Sequence, residues 1–126
     1  MKSVSIKTLI SLVIFIILSP LSFASPSATQ SMAHILMGLN HFPSAEQKTT
    51  LAAIQANASS TAAEKTIAMA IANLEHKAKP DDVAALQKVV DSADATEAEK
   101  TLATIIMGIA HKPDAAATEK LKALAM

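Results

Sequence analysis

Apolar side chains recur at i, i+3, i+4 and i+7 in three separate blocks of this chain: Met32, Ile35, Leu36 and Leu39; Ile67, Ala70, Ile71 and Leu74; Leu102, Ile105, Ile106 and Ile109. That spacing places four side chains on one face of an α-helix and predicts three amphipathic helices. Thr61 with Glu64, and Thr96 with Glu99, have the capping-box spacing that opens a helix. Each helix should close near a histidine, His41, His76 or His111, just ahead of Pro43, Pro80 or Pro113. Ser44, Asp81 and Asp114 follow those prolines and are suited to cap a second helix. Second helices are predicted at 45–56, 82–91 and 115–125. Their core positions are Leu51 and Ile54, then Val83, Leu86, Val89 and Val90, then Leu121 and Leu124. The segments 57–60 and 92–95 read as loops, and no stretch alternates as a strand would.

The blocks share a period of 35 residues. His41, His76 and His111 repeat at that interval, as do Leu51, Leu86 and Leu121, and Ala33, Ala68 and Ala103. The segment 61–66, T-A-A-E-K-T, returns at 96–101 as T-E-A-E-K-T. The chain is therefore expected to be all-α, with three tandem helical hairpins at about 26–60, 61–95 and 96–126. Hairpins of equal length stack as a short α-solenoid, and a compact six-helix bundle is the alternative. The unit is similar in length to the tetratricopeptide repeat, but the aromatic signature of that family is absent. The likeness is one of architecture.

Composition narrows the functional classes. Residues 1–24 combine Lys2 and Lys7, an aliphatic stretch at 9–18, and Ser22-Phe23-Ala24. This is the pattern of a cleaved signal peptide, so the remaining single domain, 25–126, is expected to be exported, periplasmic or secreted. Removing two lysines leaves nine lysines against 11 acidic groups, a mature charge of −2. With no Cys, a disulfide scaffold and a thiolate metal site are excluded. With no Arg and a single aromatic residue beyond 24, Phe42, nucleic-acid recognition is not expected. Membrane association after signal cleavage is not expected either, because the polar faces are not lysine-dominated.

No nucleophile motif, phosphate loop or zinc-protease motif occurs, so no catalytic residue is assigned and the chain reads as non-enzymatic. The candidate binding residues form a stripe on the first helices: His34, Met37 and His41, then Met69 and His76, then Met107 and His111. A groove lined by this stripe would suit a protein or peptide partner, which is the leading expectation, and no cofactor is assigned. The competing class is a small protein that handles copper or haem through His and Met. Stacked repeats would hold equivalent side chains on the order of 10 Å apart, too far for the three periodic histidines to share one ion. On that geometry only His34, Met37 and His41 come near one another. The periodic histidines read more simply as groups satisfying helix C-termini.

Overall fold

The computed structural model describes residues 27–126 and contains six helices. They are α1 (Ala28–Met37), α2 (Ala45–Ala56), α3 (Ala62–Ala72), α4 (Pro80–Asp91), α5 (Glu97–Gly108) and α6 (Ala115–Ala125). Among the described residues there is no strand, and no helix is long and apolar enough to cross a membrane. Residues 1–24, where a signal peptide is expected, lie outside the described residues.

Local chemistry explains the helix starts. Ser27 and Gln30 form a capping box before α1, Ser44 and Gln47 before α2, Thr61 and Glu64 before α3, and Thr96 and Glu99 before α5. In each, the hydroxyl accepts the N3 amide and the N3 side chain accepts the cap amide, so two otherwise unpaired donors are satisfied. Asp114 caps α6 by accepting the amide of Ala117 at 2.7 Å. At α4 the expectation fails. Asp81 lies inside the first turn, the helix begins at Pro80, and Lys79 holds the cap position without a side-chain hydrogen bond. Proline at N1 needs no donor and has the helical φ already, so it can open the helix alone.

All twelve stripe positions of α1, α3 and α5, with the turns that follow them, are buried. Ala33, Ala68 and Ala103 are fully buried at equivalent points, where a small side chain lets the helices approach closely. The three first helices all touch one another, and α2, α4 and α6 lie outside them. Helix pairing is most extensive across the repeat boundaries: α2 with α3, α4 with α5, and α6 with α1. The last of these pairs joins the two ends of the described chain. Gln30 Nε2 donates to the carbonyl of Met126 at 2.8 Å across that seam. The chain therefore closes on itself, and the C-terminal ends of α1, α3 and α5 come to a common point.

Candidate metal centre

At that point sit His41, His76 and His111. Each lies three or more residues beyond the end of its helix, in the link to the next, so none is a last-turn residue as the sequence suggested. Two apolar anchors fix each link. Leu39, Leu74 and Ile109, two residues before the histidines, are buried, as are Pro43 and Ala78 two residues after the first two. Between these anchors the chain must turn sharply. The histidines take φ values of 75°, 70° and 67°, and they are the only positive-φ residues among those described. The Lys77 amide donates to the Glu75 carbonyl and the Lys112 amide to the Ala110 carbonyl, both at 2.8 Å, giving tight three-residue turns centred on His76 and His111. Such backbone is uncommon for residues other than glycine, although His tolerates it better than most.

The three turns hold one another in a ring. The amide of His76 donates to the carbonyl of His41 at 2.9 Å, that of His111 to His76 at 2.5 Å, and that of His41 to His111 at 2.8 Å. Each histidine thus gives one backbone hydrogen bond and receives one. The side chains follow the same symmetry. Their Nδ1 atoms are separated by 3.2 Å (His41–His76), 3.0 Å (His41–His111) and 3.1 Å (His76–His111). The ring centroids stand 4.9–5.0 Å apart and the planes cross at 74–82°. The rings therefore fan outward like blades, with the Nδ1 atoms innermost. His41 is half-buried, and His76 and His111 are exposed.

This triangle makes little sense as three imidazoles alone. A neutral imidazole nitrogen carries either one proton or one lone pair in the ring plane. Three nitrogens facing a common centre cannot form three mutual hydrogen bonds, because a single proton there leaves at least two lone pairs opposed. A cation resolves the conflict by accepting all three lone pairs. Separations of 3.0–3.2 Å would let His41, His76 and His111 hold one ion at the usual metal–imidazole distance of about 2.0–2.1 Å. Three donors alone would leave at least one coordination position of such an ion open. Ligation through Nδ1 puts the proton on Nε2, which in the exposed rings points toward water.

The rest of the expected stripe does not join this cluster. His34 and Met69 are exposed on their helices, and Met37 and Met107 pack against the hydrophobic core. The set His34, Met37 and His41 therefore does not act as one unit. The histidines judged too far apart to share an ion are the ones the fold brings together, because the repeats close into a ring. The signal for this was the exact 35-residue recurrence of His; what could not be read was closure. Compared with family models, curated proteins and solved structures, the chain shows no match to any of them.

Proposed function

We propose that this chain binds a divalent transition-metal ion through Nδ1 of His41, His76 and His111, and that metal binding rather than catalysis is its primary activity. The observation that carries the reading is the set of three Nδ1 separations, 3.0–3.2 Å, matched to one ion. Three nitrogen donors without sulfur suit zinc, copper(II), nickel or cobalt(II) and favour none of the hard oxygen-seeking ions. The copper reading that rested on His and Met together loses its sulfur ligands, since Met37 and Met107 pack against the core. The three nitrogens also leave no room between them for a haem macrocycle. Taken with the signal-peptide pattern at residues 1–24, the reading is of a metal-binding protein that works outside the cytoplasm.

Untagged protein freed of metal and titrated with zinc in a calorimeter should bind one equivalent. Cobalt(II) should give the visible bands of a site with fewer than six ligands. The variants His41→Ala, His76→Ala and His111→Ala should each lose most of that affinity, whereas His34→Ala should keep it. Equal affinity in all four variants would remove the proposal.

A further inference from the structure

The ring of histidines borders a cleft, and the cleft has a chemistry of its own. It is lined by Phe42, Lys48, Asn73, Glu75, His76 and Lys79, so His76 belongs both to the nitrogen triangle and to the cleft wall. Lys48 comes from α2, and Lys79 from the cap position of α4. Glu75 makes only a long contact with Lys79, at 3.8 Å between exposed side chains, which leaves the Lys79 ammonium able to meet a ligand, and Lys48 is exposed. Asn73 is committed elsewhere, donating its side-chain amide to Asp82. Phe42 is the only aromatic side chain after residue 24, yet it stands 59% exposed at the rim.

Resting on the metal reading above, we infer that this cleft holds a small organic carboxylate as the ion's fourth ligand. Three neutral imidazoles leave a divalent ion its full charge, and an anion is the natural group to complete its shell. A carboxylate can give one oxygen to the ion and the other to a lysine ammonium, a charge-assisted contact stronger than a neutral hydrogen bond. Its hydrocarbon part then lies along Phe42, which accounts for an aromatic ring left in solvent. An inorganic oxyanion would use the ion and the lysines but would draw nothing from Phe42.

The test is carried out on cobalt-loaded protein, with benzoate, acetate and inorganic phosphate as probes. Benzoate should shift the visible cobalt bands and bind more tightly than either acetate or phosphate, since only its ring can lie along Phe42. Lys48→Met together with Lys79→Met should weaken benzoate about tenfold while leaving cobalt affinity within about twofold. Phe42→Ala should erase the preference of benzoate over acetate. Cobalt binding with no response to benzoate would overturn the carboxylate site and leave the metal reading standing. Phosphate outcompeting benzoate, or benzoate binding unchanged in the lysine variant, would overturn it likewise. Failure of cobalt itself to bind would end both.

Discussion

His41 and His111 are 70 residues apart in the chain, yet their Nδ1 atoms approach to 3.0 Å and the amide of His41 donates to the carbonyl of His111 at 2.8 Å. This pair closes the molecule, since the other two contacts of the ring join consecutive repeats. Side chain and main chain converge here by one device, a positive φ at each histidine. That φ turns the amide and carbonyl around the ring while aiming the imidazole at its centre. Backbone in this region costs of order 1–3 kcal/mol per residue when the residue is not glycine. The cost is held in place three times over by buried neighbours at positions 39, 74 and 109.

From this follows a contrast between two truncations of the same side chain. His76→Ala keeps a Cβ in the unfavourable conformation, and His76→Gly removes it. The glycine variant should therefore be the more stable of the two by about 1 kcal/mol in urea denaturation without metal, with neither variant retaining full metal affinity. The usual order in helices, where glycine is worse than alanine, would mean that the strain attributed to φ is not there.

A second contrast lies at the opposite ends of the first helices. Glu99 is only 3% exposed, and its two oxygens are fully engaged. Oε1 accepts the amide of Thr96 at 2.7 Å, and Oε2 accepts the hydroxyl of Thr61 at 2.5 Å. The Thr61 hydroxyl also accepts the amide of Glu64 at 3.0 Å, so it caps α3 while supplying a buried carboxylate of α5. Thr61→Ala removes the cap and strands that oxygen, and should cost about 3 kcal/mol. Thr96→Ala removes a cap alone and should cost about 1 kcal/mol, and Thr61→Ser should be close to neutral. Equal losses for the two alanine variants, measured by denaturant titration, would show that the Thr61–Glu99 bond contributes nothing.

Much of this was legible in the residues. The periodicity located all six helices because each has a clear stripe or cap, and Leu51, Leu86 and Leu121 are fully buried where their recurrence placed them. The start of α4 was misplaced because proline at N1 removes the need for the capping side chain that reading relied on. The candidate site was half legible. Recurrence selected His41, His76 and His111, but a linear repeat leaves open whether its ends meet. The answer lies in the surfaces of α1 and α6, whose complementarity no spacing rule reports. His34 and the methionines entered the stripe because they share a helix face with the histidines, and a shared face says nothing about convergence beyond the helix end.

Closure also determines how the molecule should respond to shortening. In an open stack each repeat touches only its neighbours, and loss of the last leaves the others folded with less stability. Here α1 has its most extensive contact with α6, and α1, α3 and α5 share one core. A chain ending at Asp94 would lose the partner of α1 and two of the three pairings among the central helices at once. Met32, Leu36, Ile67 and Ile71, all fully buried in the intact protein, would face water. Exposing even two such side chains forfeits about 3–6 kcal/mol, which is comparable to the whole stability of a domain this small. The shortened chain should therefore show little helix by far-UV circular dichroism even at about 15 °C, near the usual temperature of maximum stability, and no cooperative thermal transition. Retention of two thirds of the helical signal with a cooperative melt would show that two repeats stand alone, and the ring would then be a contact between independently stable units rather than what holds them together.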